Sequence, residues 1–308
     1  MTLVTPARPL EVLVCRLLAF AAPGPTTLAE LIGAERLAAF RGLSGLHADG
    51  WGTAWVDGTR EVRRVRDALP VQRSRRGAAA LAERPSTARL VHLRLATPGM
   101  TVGHENSHPF LHGGVAFAHN GSVPSVPVLE DLVGERHLTD VRGGTDSERI
   151  FALVRRYADA GADLTTAAAR ATVRLREAFP GASFNAVLLS ADEVVVVHAS
   201  ERSPVPLADL CASGLAPADL PRDHVEGYYR MSLLRRPDGA VVFTSAGIDT
   251  TGWEPLPPAS ITTVRLGTLQ VRVRDLEGAA ARGQRVAGTV PGSPSAAAAS
   301  TGTACSIA

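Results

Sequence analysis

The chain has 308 residues, 45% of them apolar, which is enough to bury one large core or two modest ones. A formal net charge of +2 creates no strong field of either sign, so neither nucleic acid nor a membrane surface is indicated as a partner. All 32 basic residues are arginine, which excludes Schiff-base lysines, phosphate-loop lysines and lysine general bases.

Taken in chain order, residues 1–10 read as a loose leader. The stretch "EVLVCRLLAF" then places Cys15 inside a β-rich run over 12–20. This segment resembles the core of a signal peptide, but Glu11 and Arg16 interrupt it and Val14, not a small residue, precedes Cys15. A helix is expected over 26–40, followed by strands at 51–56, 90–95 and 114–119. In "DSERIFALVRRYADAG" (146–161), Ile150, Leu153, Val154 and Tyr157 fall on one helical face, with Asp146 as N-cap or first residue. A further helix is expected over 165–179, then strands at 184–190, 193–199, 240–245 and 261–266, with an edge strand at 269–275. From about 279 the chain loses its large apolar residues and reads as a disordered tail. Strand runs separated by helix pairs, with little strict βαβ alternation, favour an α+β sandwich over a doubly wound sheet.

Cys15, Cys211 and Cys305 are odd in number and have no ligand spacing, so a reducing cytoplasm is expected and no disulfide framework. No run of about 18 apolar residues occurs, so no membrane-spanning helix is expected.

Candidate chemistry concentrates in "HLRLATPGMTVGHENSHPFLHGGVAFAHNG" (92–121). Arg94 at a strand end offers a rigid fork for a carboxylate, and Thr97 can add a hydroxyl to the same anion. Asn120 and Gly121 set a side-chain amide beside a backbone N–H, the pair of donors a tetrahedral oxyanion needs. The same Asn-Gly is also the strongest hairpin-turn dipeptide. "GGTDSE" (143–148) lets backbone approach a ligand and gives Asp146 for an ammonium group, or simply starts a helix. "HADGWG" (47–52) is a Gly-rich turn before a strand, with Trp51 as core or pocket wall. Five histidines (His92, His104, His108, His112, His119) lack metal-ligand spacing, so no metal and no cofactor is expected. No GxSxG elbow is present.

Cys-Arg-Leu-Leu at 15–18, "HADGWG", "HLRLATPG", "ENSHPF", "AHNG" and "GGTDSE" follow one another in the order found in class II glutamine amidotransferases. The chain resembles that family over roughly residues 15 to 270, and within it the small stand-alone branch. That branch includes the ergothioneine-pathway γ-glutamyl hydrolase and the glutathione-degrading amidotransferase-like proteins. The resemblance implies an N-terminal-nucleophile fold, a four-layer α-β-β-α sandwich. It implies Cys15 as nucleophile with its own α-amine as general base, and Asn120 with Gly121 around the oxyanion. It assigns Arg94 and Thr97 to the substrate α-carboxylate and Asp146 to the α-amino group. The chain departs from many members at Leu95 and Pro98, where they carry Trp and His, which points to a different pocket floor.

An α-amine with a pKa near 7.7 can take a thiol proton, but a nitrogen held in the Val14–Cys15 amide cannot. The implied chemistry therefore requires a chain that begins at Cys15. Removal of a leader over 1–14 would expose it, and so would initiation at a GTG codon for Val14 followed by loss of methionine. The expected domain is then 15–278, with 279–308 as tail. The implied activity is hydrolysis of a γ-glutamyl amide, with ammonia supply to a separate synthase, or γ-glutamyl binding without catalysis, as alternatives.

Overall fold

The computed structural model describes residues 15–45, 47–82, 84–96, 100–205 and 227–282. The expected leader (1–14), Thr97, Pro98, Cys211, Cys305 and nearly all of the tail lie outside the described residues.

Two antiparallel sheets carry the architecture. The first contains β1 (Arg16–Thr26), β2 (Trp51–Val56), β3 (Val62–Asp67), β4 (Ser86–Leu93), β9 (Met231–Arg235), β10 (Val241–Ser245) and β11 (Glu254–Pro255). The second contains β5 (Phe110–His112), β6 (Val115–Asn120), β7 (Asn185–Leu189), β8 (Glu193–His198), β12 (Ser260–Arg265) and β13 (Gln270–Asp275). Their orders are β11-β9-β10-β1-β4-β2-β3 and β13-β12-β8-β7-β6-β5.

The sheets face each other across one apolar layer. Strand alternation sends Leu17, Ala19, Ala54, Leu90, Ala118, Val187, Leu189, Val194, Val196 and Phe243 into it. Each such Leu, Val or Phe, once fully buried, contributes about 1.5–3 kcal/mol. The alternate residues of β1 and β4, such as Leu18, Phe20 and Val91, meet α1 (Leu28–Ile32) and α2 (Ala34–Gly42) on the outer face of the first sheet. Over the second sheet lie α4 (Val126–Val133), α6 (Asp146–Asp159), α7 (Leu164–Ala178) and α8 (Leu276–Ala280). The order of layers is thus α-β-β-α. Ala167, Ala168 and Ala171 on α7 are fully buried, and their small side chains let that helix sit close to the sheet.

Local chemistry explains the boundaries. Thr145 caps α6 by accepting the Glu148 N–H, and Asp146 and Glu148 place negative charge at the positive end of the helix. Asp163 caps α7 through the Thr166 N–H.

Two expected boundaries are corrected. The single helix expected over 26–40 is two helices, because β1 runs on to Thr26 and Gly33 takes a left-handed φ of 84° between α1 and α2. A capping box of Thr27 and Glu30 fixes the new start. Residues 279 and 280, expected in the tail, belong to α8, which packs Ala279 into the core. The remaining elements, α3 (Arg75–Ala82) and α5 (Glu135–Leu138), complete the described fold together with β3, β5, β9, α4 and α8, none of which the sequence pattern announced.

Candidate active site

At one end of the sandwich the inward-facing positions stop being aliphatic. β1 is preceded there by Cys15, β4 carries His92 as its last inward residue and runs past Leu93 into Arg94, β6 ends in Asn120, and β7 begins with Asn185. These residues come from four strands of both sheets, and all are buried.

The Cys15 thiol donates to the Leu95 carbonyl at 3.6 Å. Burial pushes it up to about 11, while the Arg94 and Arg16 guanidiniums pull it down and the Asp146 carboxylate pushes it up. At neutral pH a thiol with that pKa is almost wholly protonated and needs a base to react.

Arg94 is held from behind. Its Nη1 donates to the Asp49 carbonyl at 3.2 Å and its Nη2 to the Thr101 carbonyl at 3.4 Å. The main chain of the 47–50 turn pairs with it as well, with Asp49 N–H to Arg94 O at 3.2 Å and Arg94 N–H to Gly50 O at 2.8 Å. The Asp49 carboxylate accepts the Ala96 N–H at 2.8 Å, so the "HADGWG" turn fixes the segment that carries Arg94. Trp51 is fully buried and belongs to the core under the outer helices.

Asn120 is fully buried, and neither its amide oxygen nor its amide nitrogen has a hydrogen-bond partner. An unpaired buried amide costs about 1–3 kcal/mol, so with no protein partner both ends of this side chain are open to a bound group. Its backbone is tightly fixed, with the Ser183 hydroxyl donating to the Asn120 carbonyl at 2.9 Å. The hairpin reading of Asn-Gly does not hold, because the chain leaves Asn120 for α4 and β6 pairs with β5 and β7. A Cβ on Gly121 would collide with the Ser183 carbonyl oxygen, so the backbone here passes too close for any side chain.

Asp146 is the first residue of α6. One carboxylate oxygen accepts the Val123 N–H at 2.9 Å and the other the Ser147 N–H at 2.6 Å. The Ser147 hydroxyl also lies 3.1 Å from the second oxygen, so acceptor capacity remains on the oxygen that faces Val123. His119 connects this helix start to the Asn120–Gly121 segment. Its Nε2 faces the Ser183 carbonyl and its Nδ1 the Ser147 hydroxyl, both at 3.0 Å. A carbonyl can only accept, so the partners assign the proton to Nε2 and leave Nδ1 as acceptor; burial pushes His119 down and keeps it neutral.

Of the remaining histidines, His92 and His108 stack in the interior with ring centroids 4.1 Å apart. Burial pushes His92 down to about 3 and His108 well below its ordinary value. His104 and His112 are exposed. Among the described residues no three His, Cys, Asp or Glu side chains gather as metal ligands do.

The structure thus brings Cys15, Arg94, Asn120, Gly121 and Asp146 to one end of the sandwich, while Thr97 lies outside the described residues. Sequence reasoning missed the supporting groups. Asn106 sits in the quoted "ENSHPF" with no assigned chemistry, and Asn185 gave no signal, although its amide donates to the Tyr229 carbonyl at 2.7 Å and accepts the Ala199 N–H at 3.0 Å. Arg16 is fully buried beside Cys15, with Nη1 donating to the Cys15 carbonyl at 3.2 Å and its guanidinium 4.8 Å from the Tyr228 ring centre.

Residues 14–283 match the family model of class-II glutamine amidotransferases. The chain belongs to that family. Over 128 residues it is 37% identical to a glutamine–fructose-6-phosphate aminotransferase (isomerizing) of Methanothermobacter thermautotrophicus, a stretch covering 41% of this chain and 20% of that protein. The chain therefore matches about a fifth of the length of that curated relative. Among solved structures, a glutamine aminotransferase class-II domain protein from Silicibacter pomeroyi superposes with a TM-score of 0.56 at 20% identity, covering 85% of this chain and 99% of that one. The glutamine phosphoribosylpyrophosphate amidotransferase of B. subtilis gives a TM-score of 0.56 at 15% identity, covering 85% and 49%. At these identities the two structures speak to the fold, which is that of the N-terminal-nucleophile amidotransferases. No helix among the described residues is long and apolar enough to cross a membrane.

Proposed function

We propose that this chain hydrolyses a γ-glutamyl amide, either glutamine or a γ-glutamyl conjugate, through a thioester on Cys15. The observation that carries the reading is the gathering of Cys15, Arg94, Asn120 and Asp146, all buried and carried by separate elements, at one end of the sandwich.

In this mechanism the free α-amine of Cys15 takes the thiol proton, and the thiolate attacks the γ-amide carbon. Negative charge developing on the amide oxygen is received by the Asn120 side-chain N–H and the Gly121 backbone N–H. This use explains why the fold keeps an unpartnered buried amide at Asn120. Collapse of the intermediate breaks the C–N bond, and the leaving amine takes the proton held by the α-ammonium. Water then adds to the thioester with the α-amine again as base, releasing glutamate and restoring the thiol. Arg94, with Thr97, receives the substrate α-carboxylate, and Asp146 receives its α-ammonium group. No metal or cofactor takes part in this scheme. A reducing cytoplasm suits a free thiol nucleophile.

The scheme requires that nothing precede Cys15 in the active form, by either route given above. An electrophilic glutamine analogue, followed by peptide mapping, tests it. The expected result is one adduct, on the peptide beginning with Cys15, together with loss of hydrolysis. Labelling elsewhere, or binding with no adduct, would show a γ-glutamyl-binding protein instead.

A second reading has this domain supply ammonia to a separate synthase. It is favoured by the curated relative, in which the matched stretch is 20% of a longer protein. Hydrolysis that appears only when a partner protein is added would decide for it.

A further inference from the structure

Asn106 is buried, and both ends of its side chain are engaged, yet the scheme above gives it no task. Its Nδ2 donates to the Thr101 carbonyl at 2.9 Å. That carbonyl also receives Arg94 Nη2 at 3.4 Å. Its Oδ1 accepts the Gly144 N–H at 2.8 Å, two residues before Asp146. One planar amide therefore bridges the segment behind the guanidinium and the loop that starts α6. A Cβ on Gly143 would run into Asn106 Oδ1, so the close approach is built into the "GG" of that loop.

The loop that presents Asn106 is itself locked to the first sheet. Arg66 of β3 donates from Nη1 to the Ser107 carbonyl at 2.6 Å and to the Glu105 carbonyl at 3.3 Å, and Arg64 donates to the Pro109 carbonyl at 3.2 Å. Gly50 and Gly52 leave the room for this contact, since a Cβ on Gly50 would come 2.9 Å from Ser107 Oγ and one on Gly52 would collide with the His108 carbonyl. Within the loop, Ser107 Oγ donates to the Gly103 carbonyl at 2.9 Å. The amide is thus a short, rigid tie on a fixed base.

We propose that Asn106 is a positioning residue that sets the separation between the carboxylate-binding Arg94 and the ammonium-binding Asp146, and so makes the site read the α-amino-acid end of its substrate. This rests on the γ-glutamyl reading of the site and extends it to what the site selects. In this reading the tie acts between Arg94 and Asp146, so it governs selectivity for a free α-amino-acid end and not tolerance for the leaving amine.

The test measures steady-state hydrolysis by the active protein on glutamine and on its deamino analogue, 4-carbamoylbutanoate, which keeps the carboxylate and the amide. For Asn106→Ala, KM for glutamine should rise about tenfold with kcat held within about threefold, the equivalent of one or two lost hydrogen bonds. The preference for glutamine over the deamino analogue should shrink by a similar factor. Alkylation of Cys15 by iodoacetamide should keep its wild-type rate. Asn106→Asp keeps the acceptor for Gly144 and loses the donor to Thr101. It should lie between the two, and it serves as the readout should Asn106→Ala fail to fold. A preference for glutamine that stays at the wild-type factor in these variants, or a fall in kcat at unchanged KM, would overturn the proposal. Wild-type protein that hydrolyses no γ-glutamyl amide would overturn the underlying reading and this inference with it.

Discussion

At one end of the sandwich the sheets meet through Val56, Val62, Val194 and Val264; at the other, the same inward-facing rows end in Cys15, His92, Arg94, Asn120 and Asn185. The aliphatic end is closed outside by an exposed ion pair, Arg60 to Asp192 at 2.7 Å, of a kind that contributes little. The polar end keeps unpaired atoms on His92, His108 and Asn120. Alternation is the same at both ends, so the fold does not require the change in chemistry. The polar groups are gathered at the end where the chemistry is proposed to happen.

Four substitutions or conditions can break or sharpen this contrast. The largest effect is expected at the aliphatic end, where Leu189→Ala should cost about 2–5 kcal/mol of stability in urea unfolding. The turnover of the molecules that remain folded should stay within about twofold of wild type; a loss of turnover without a loss of stability would erase the division between the ends. Asn120→Ala should do the reverse, raising the barrier by about 2.7–4 kcal/mol, or roughly a hundredfold to a thousandfold in kcat, with the urea midpoint held or slightly raised. Near-normal turnover would remove Asn120 from the oxyanion role. Arg94→Ala should act mainly on KM, by about tenfold to a hundredfold, as expected for a lost charged hydrogen bond to a carboxylate. A change confined to kcat would contradict a binding role.

The smallest effect is on stability in acid. His92 and His108 are held neutral by burial, with folded pKa values below the unfolded value near 6.5. Their contribution is fully present above about pH 6.5 and declines as pH falls toward 3, because the unfolded chain takes up protons that the folded chain refuses. The slope is at most about 1.4 kcal/mol per pH unit for each histidine. Urea midpoints at pH 7 and pH 5 measure it, and His108→Leu should flatten it; an unchanged slope would mean that other groups dominate.

Much of the sandwich could be read from the sequence because its strands are runs of Val, Ala and Leu between Gly-rich turns. The omissions have physical causes. In β3, "VRRVRD", arginines on both faces hide the period of two, and two of them serve long-range contacts to the 105–109 loop. β5 is three residues long, and α3 and α5 are short, so periodicity has little to act on. Gly33 sits inside an otherwise helical pattern, and only its left-handed φ shows that the helix breaks there. The ordered motifs marked Cys15, Arg94, Asn120, Gly121 and Asp146, but Asn106 and Asn185 also reach Gly144 and Tyr229, which are distant in sequence. No local pattern encodes those partners.

The central claim is that the sulfur of Cys15 works with its own unacylated amine. Intact-mass measurement of the protein in the fraction that hydrolyses a γ-glutamyl amide tests it directly. The account predicts a mass that lacks residues 1–14, with Cys15 first. A catalytically active mass that still includes them would contradict it.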